Sequence, residues 1–147
     1  MSYKKVEMEI SPQDYSELVA AARAVVERAY CPYSKFKVGA ALLTASGKIF
    51  AGCNVENASY GLTICAERNA IFQAVAQGPG PLSIRAIVIY TPTTTPSAPC
   101  GACRQVINEF GPLARVISLC DGPVALESSL DLLLPEAFGP GNLEFEQ

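Results

Sequence analysis

The stretch Ile84-Arg85-Ala86-Ile87-Val88-Ile89-Tyr90 decides the fold. Apart from Arg85 it is an unbroken apolar run rich in β-branched residues, the pattern of a central strand covered on both faces. Breakers bound it. Gly78-Pro79-Gly80-Pro81 stops the segment before it, and residues 91–99, with three prolines and four threonines, read as a loop. Helical patterns lie on both sides, at 65–77 and at 100–110, the second closed by Gly111-Pro112. A further apolar run at 116–120 reads as the next strand. Strands separated by helices imply crossover connections, with the helices lying on the sheet faces.

Working towards the amino end, residues 37–43 form a small-residue strand, Ser46-Gly47 a turn and residues 48–54 a second strand, so this pair reads as a hairpin. Residues 55–62 read as a polar loop. Ser11-Pro12 opens a first helix, with Ser11 able to cap and Pro12 at the first helical position. Tyr15, Leu18, Val19, Ala22, Val25, Val26 and Ala29 recur at three- and four-residue steps as its apolar face, and Pro32 ends it. Beyond residue 120 the tail carries a short helical piece at 129–134, then Pro135-Glu136-Ala137-Phe138 and a polar end. With no internal repeat and no long linker, residues 1–147 read as one three-layer α/β domain.

The composition narrows the function. With no histidine, a Ser-His-Asp triad, a Cys-His thiol protease and a His-ligated zinc or haem are all excluded. A formal charge of −3, without a basic stretch interleaved with aromatics, argues against nucleic acid as a partner. Charged residues make up 17%, below the usual ~25%, which points to self-association. The two lysines of Met1-Ser2-Tyr3-Lys4-Lys5 are followed by Glu7 and Glu9 and by no apolar core of a signal. The apolar stretch at 18–26 is too short to span a bilayer. The chain is therefore expected to be cytoplasmic and free of the membrane, with its six cysteines as thiols or metal ligands rather than disulfides.

Three of those cysteines are placed for chemistry. Cys65 lies at one expected helix start, and Cys100 and Cys103 share a face at another. The chain between them is long enough for a helix, a strand and a return loop, so the two helix starts can meet at one sheet edge. Helix N-termini favour thiolates. Three thiolates leave a zinc ion one ligand short, the condition of a catalytic rather than a structural site. Glu67, two residues after Cys65, is placed to move a proton between water and a substrate nitrogen. Cys-x-Glu followed by Pro-Cys-x-x-Cys is a pattern found in zinc deaminases.

The resemblance is wider than that pattern. Cys65-Ala66-Glu67-Arg68-Asn69-Ala70-Ile71 and Pro99-Cys100-Gly101-Ala102-Cys103-Arg104-Gln105-Val106-Ile107 resemble the cytidine deaminases of the small homotetrameric class. So do Cys31-Pro32-Tyr33-Ser34-Lys35-Phe36, Val38-Gly39-Ala40-Ala41-Leu42 and Gly52-Cys53-Asn54-Val55-Glu56-Asn57-Ala58-Ser59-Tyr60. The resemblance implies a three-layer α-β-α sandwich with a central mixed sheet of about five strands. It implies hydrolytic deamination of cytidine and deoxycytidine to uridine and deoxyuridine, with activated water attacking C4 of the base. Cys65, Cys100 and Cys103 would hold one zinc per chain, and Glu67 would be the proton shuttle. Asn54 and Glu56 would hold the ribose hydroxyls, Phe36 would pack on the base, and the backbone of Ala66 would contact the pyrimidine. Tyr60 and Phe138 would complete a neighbouring subunit's site in a homotetramer.

Arg68 has an electrostatic role of its own. Three thiolates and Zn²⁺ sum to −1, and a guanidinium on the ligand sulfurs withdraws charge and restores Lewis acidity. Arg104 either shares that role or makes a solvent-facing salt bridge, with the second expected. Cys31, Cys53 and Cys120 read as packing or loop thiols, with Cys53 facing away from Asn54. Two other functions stay open: a deaminase of another aminopyrimidine nucleoside, such as a nucleoside antibiotic, and a non-catalytic zinc or redox module. A fourth protein ligand would decide for the module.

Overall fold

The structure is a computed structural model that describes residues 9–143. Residues 1–5 and Glu7, read above for a targeting signal, lie outside them, as do residues 144–147. Helix α1 spans Pro12–Val25, strand β1 Gly39–Thr44, β2 Ile49–Cys53, α2 Ala66–Gln77 and β3 Ile84–Tyr90. Then come α3 at Gly101–Phe110, β4 at Arg115–Leu119, β5 at Leu126–Ser129 and α4 at Leu130–Leu133. None of these helices is long and apolar enough to cross a membrane.

β3 is the central strand its sequence predicts. The sheet order is β2-β1-β3-β4-β5, with β3 antiparallel to β1 and parallel to β4 across the α3 crossover. The β1–β2 and β4–β5 pairs are antiparallel, so the five-stranded sheet is mixed, as expected. Alternation divides β3 between two cores. Ile87 and Ile89 join Ala40, Leu42 and Val116 under α2, α3 and α4. Ala86, Val88 and Tyr90 join Ala41, Leu43 and Ile117 under Leu18, Ala22 and Val26 of the first helical segment. This is the three-layer α-β-α sandwich.

Small residues set the layer spacing. A Cβ on Gly39 would stand 2.2 Å from the Ala22 carbonyl oxygen, and one on Gly52 would stand 2.3 Å from the Ala70 nitrogen. α1 and α2 therefore lie directly on the sheet at these two points. The capping expected of Ser11 is present: its hydroxyl accepts the Asp14 N–H at 3.0 Å.

Three local expectations are corrected. The first helix does not run to Pro32. It tightens into a 3₁₀ turn at Val26–Arg28, because Tyr30 pairs with residues 54–56. The Tyr30 N–H donates to the Asn54 carbonyl at 3.0 Å, and the Glu56 N–H donates to the Tyr30 carbonyl at 2.8 Å. β1 begins at Gly39 rather than residue 37, since the Val38 N–H is taken by the Asn54 side chain at 2.9 Å. β5 has no apolar pattern to announce it. It is a short polar edge strand held by β4, with Arg115 and Glu127 paired at 2.7 Å.

Candidate active site

Cys65 and Cys100 are the N-cap residues of α2 and α3, and Cys103 lies in the first turn of α3. The parallel β3–α3–β4 crossover and the seating of α2 on Gly52 bring the two helix starts together. The three sulfurs lie within 4.8 Å of one another, with Cys65 and Cys100 Sγ 3.9 Å apart. Cys103 is buried, Cys65 half-buried and Cys100 exposed, so the cluster opens on the Cys100 side.

The charges suit a metal. The Cys103 contact, with the Arg68 guanidinium behind it, holds the Cys65 thiol down to about 5, and the same contact pushes Cys103 up. Arg68 Nη2 donates to Cys65 Sγ at 3.4 Å, the contact expected of it. Its Nε is buried without a hydrogen-bond partner. A soft trio of sulfurs at helix N-termini fits zinc. Among the described residues no fourth ligand joins the three.

Glu67 is only 5% exposed, and burial pushes its carboxyl above the ordinary value. It lines a cavity of about 420 Å³ together with Cys65, Cys100, Phe36, Asn54 and Glu56, a volume in the usual range for a small ligand. Its lining thus combines two of the three sulfur-bearing residues and Glu67 with the Asn54/Glu56 pair. Phe36, 41% exposed, lies along the wall. Ala66 is fully buried with its methyl in the core.

The polar end is already partly occupied. Glu56 accepts the Tyr33 N–H at 2.9 Å, the Ser34 N–H at 3.3 Å and the Ser34 hydroxyl. These donors, the Ser34 hydroxyl foremost, hold its carboxyl below the ordinary carboxylate value. Asn54 accepts the Val38 N–H and donates to the Phe36 carbonyl at 2.7 Å. A carboxylate has about four acceptor sites and an amide two N–H donors. What is left is about one acceptor site on Glu56 and, on Asn54, one N–H and one carbonyl lone pair. Lys35, between Ser34 and Phe36, sits in the left-handed region at φ 61°, a conformation that costs about 1–2 kcal/mol outside glycine.

Tyr60 and Phe138 do not line this cavity. Tyr60 is 74% exposed in a neighbouring hollow, its ring 5.7 Å from that of Tyr33. Phe138 is 59% exposed, and its carbonyl accepts from Gln105 and Asn108 on α3. Arg104 corrects the expectation of a shared sulfur contact or a salt bridge. It donates to the Pro99 and Leu133 carbonyls, and among the described residues no carboxylate pairs with it. Cys31 and Cys120 are buried thiols, and burial pushes the half-buried Cys53 thiol up. Cys53 lines a separate hollow with Arg28 and Phe72, away from Asn54. Sequence reasoning assigned no task to Ser34, Thr63, Ile89, Ser97 or Ala98 in the lining. Ser34 lay inside a quoted motif, but no spacing links it to Glu56.

Comparison with known proteins follows the same lines. The family described as "Cytidine and deoxycytidylate deaminase zinc-binding region" matches residues 12–120. A cytidine deaminase of Sporosarcina psychrophila is 44% identical over 134 residues, covering 90% of this chain and 96% of its own. A probable cytidine deaminase of Dictyostelium discoideum is 43% identical over 135 residues, with 91% and 90% covered. The crystal structure of a cytidine deaminase from Burkholderia pseudomallei superposes with a TM-score of 0.76 at 52% identity, covering 84% of this chain and 98% of that one.

Proposed function

The chain belongs to the cytidine and deoxycytidylate deaminase family, and from that premise we propose that it hydrolyses cytidine and deoxycytidine to uridine and deoxyuridine, releasing ammonia. The observation that carries this reading is the trio of thiols, one ligand short of a closed zinc site, at the end of a nucleoside-sized cavity with Glu67 buried beside it. Residues 1–147 act as a single deaminase-like domain, holding one zinc through Cys65, Cys100 and Cys103.

Zinc in that position supplies the Lewis acidity that makes water a nucleophile at neutral pH. The chain's residues do the rest. Phe36 packs on the pyrimidine, and the Ala66 backbone holds its edge. Asn54 and Glu56 bind the sugar, placing C4 at the sulfur end of the cavity. Glu67 takes a proton from the attacking water and delivers it to N3, then moves the remaining proton of the new C4 hydroxyl to the exocyclic nitrogen as the C4–N bond breaks, leaving the C4 carbonyl and ammonia. Its raised proton affinity suits a carboxylate that must hold a proton between these transfers. Arg68 draws charge from the Cys65 sulfur, sustaining the electrophilicity of the centre.

In the same reading the enzyme is a homotetramer in which Tyr60 and Phe138 complete a neighbour's site. Support comes from the exposure of both rings, and of Leu62, Phe72 and Val75, on the surface of one chain. A cytoplasmic setting is supported by six cysteines that are all free thiols.

The test is cytidine added to purified protein, followed by uridine and ammonia formation. E67Q should keep about one zinc per chain and lose turnover by about 10²–10⁴-fold. Turnover within tenfold of wild type removes Glu67 from the mechanism. A second zinc, or four protein ligands, removes the catalytic assignment.

A further inference from the structure

Arg104 follows Cys103 directly, yet its side chain turns away from the sulfurs. Nε reaches back over the start of α3 to the Pro99 carbonyl at 2.8 Å. Nη1 reaches across to the Leu133 carbonyl at 2.9 Å, the last residue of α4. The first bond fixes the peptide that delivers Cys100 to its N-cap position, because a planar peptide held at its oxygen cannot turn without moving the next Cα. The second braces the guanidinium against a helix end, where a cation is favoured. That helix is seated in the core through the fully buried Leu130.

Cys100 needs such a brace more than the other two cysteines do. Cys103 is buried in α3, and Cys65 begins a helix packed on Gly52. Cys100 is exposed and follows an irregular loop. That loop is fastened at its far end, where the Asp121 N–H donates to the Thr93 carbonyl at 2.9 Å and the Cys120 thiol contacts the Thr94 carbonyl at 3.6 Å. Among the described residues, the Arg104–Pro99 bond is the hydrogen bond that ties residues 96–99 to the rest of the fold.

We infer that Arg104 is a positioning residue that braces the Pro99–Cys100 peptide against the end of α4 and so holds the Cys100 sulfur within reach of Cys65 and Cys103. The inference rests on the three-thiol zinc site proposed above. A lysine cannot replace it fully, because one ammonium on a flexible stem does not serve two carbonyls in divergent directions as a planar fork does.

The experiment compares zinc-loaded wild type, R104A and R104K. It reads zinc release to a chromophoric chelator, the thiolate bands of the cobalt-substituted proteins, and kcat and KM for cytidine. Melting temperature is measured with and without metal. R104A should release zinc about tenfold faster, shift the cobalt bands and lower kcat while KM stays within about twofold. R104K should fall between R104A and wild type. Zinc release at the wild-type rate in R104A, with melting lowered equally in both metal states, reduces Arg104 to tail packing and overturns the inference. If R104A does not fold, wild-type release and spectra in R104K overturn it instead. A wild-type chain that holds no zinc at the three cysteines shows the metal reading itself to be wrong, before any variant is compared.

Discussion

The Tyr33 N–H donates to the Glu56 carboxylate at 2.9 Å, joining the turn after the first helix to the residue that follows the β2 strand end. Ser34 reinforces that junction through both its N–H and its hydroxyl. Glu56 is therefore held in place by the fold itself, and Phe36 is placed by the same turn, its N–H bonded to the Ser34 hydroxyl oxygen at 3.0 Å.

Removing the Ser34 hydroxyl should loosen Glu56 and Phe36 together while leaving the sulfurs and Glu67 in place. S34A is expected to raise KM for cytidine about fivefold while kcat stays within about twofold, the signature of lost uniform binding. A fall in kcat with KM unchanged would place Ser34 with the chemistry instead.

The same junction carries a pH dependence. The folded Glu56 carboxyl titrates below its unfolded value, so the clamp is fully present above the ordinary glutamate value of about 4.3 and is lost as pH falls through the lower folded value. KM for cytidine should be flat from neutrality down to the ordinary glutamate value of about 4.3 and rise only at lower pH. A rise that begins near pH 6 would contradict the assignment.

With about one acceptor left on Glu56 and one N–H on Asn54, one hydroxyl can donate to the first and accept from the second, and the pair is expected to read one hydroxyl in this way. Cytidine and deoxycytidine share the 3′-hydroxyl. Their kcat/KM values should agree within about threefold, and 3′-deoxycytidine should be worse by about tenfold or more. Equal losses on removing either hydroxyl would refute the single-hydroxyl count.

Arg68→Ala removes the donor from the Cys65 sulfur and leaves the three ligands in place. Zinc content should remain near one per chain, while kcat drops about 10–100-fold. Unchanged kcat, measured alongside metal analysis, would show that the thiolate charge needs no balancing.

Gly52→Ala places a methyl against the Ala70 nitrogen, backbone that cannot step aside. Such overpacking costs about 1–3 kcal/mol, and α2 must lift at the end that bears Cys65 and Glu67. Thermal melting should fall and zinc should leave faster. A variant with wild-type melting and wild-type zinc retention would mean the helix seat is softer than its contacts imply.

The sulfur end of the site was legible in the sequence because each of its two halves carries a local pattern, although Cys65 and Cys100 lie 35 positions apart. A cysteine at a helix start, a glutamate two residues later and a Cys-x-x-Cys on one helical face each follow from chain periodicity, and β3 announced where the helices must lie. The rest was hidden because its contacts join distant residues that carry no pattern of their own. Ser34 meets Glu56 across 22 positions and Arg104 meets Leu133 across 29, and no spacing rule connects them. β5 escaped notice since an exposed polar edge has no periodicity to read. The early end of α1 followed from a tertiary pairing of Tyr30 with Val55, which overrides a helical pattern running to Pro32.

The lining of the cavity comes from separate pieces of chain. Cys65, Cys100 and Glu67 stand at the starts of α2 and α3, whereas Ser34 and Phe36 come from the turn at 31–36 and Asn54 and Glu56 from the exit of β2. This is a division of labour between reaction and selection. In the proposed reading, residues 33–36 and 54–56 can therefore be altered to change what is accepted without displacing the helix starts that carry the hydrolytic groups.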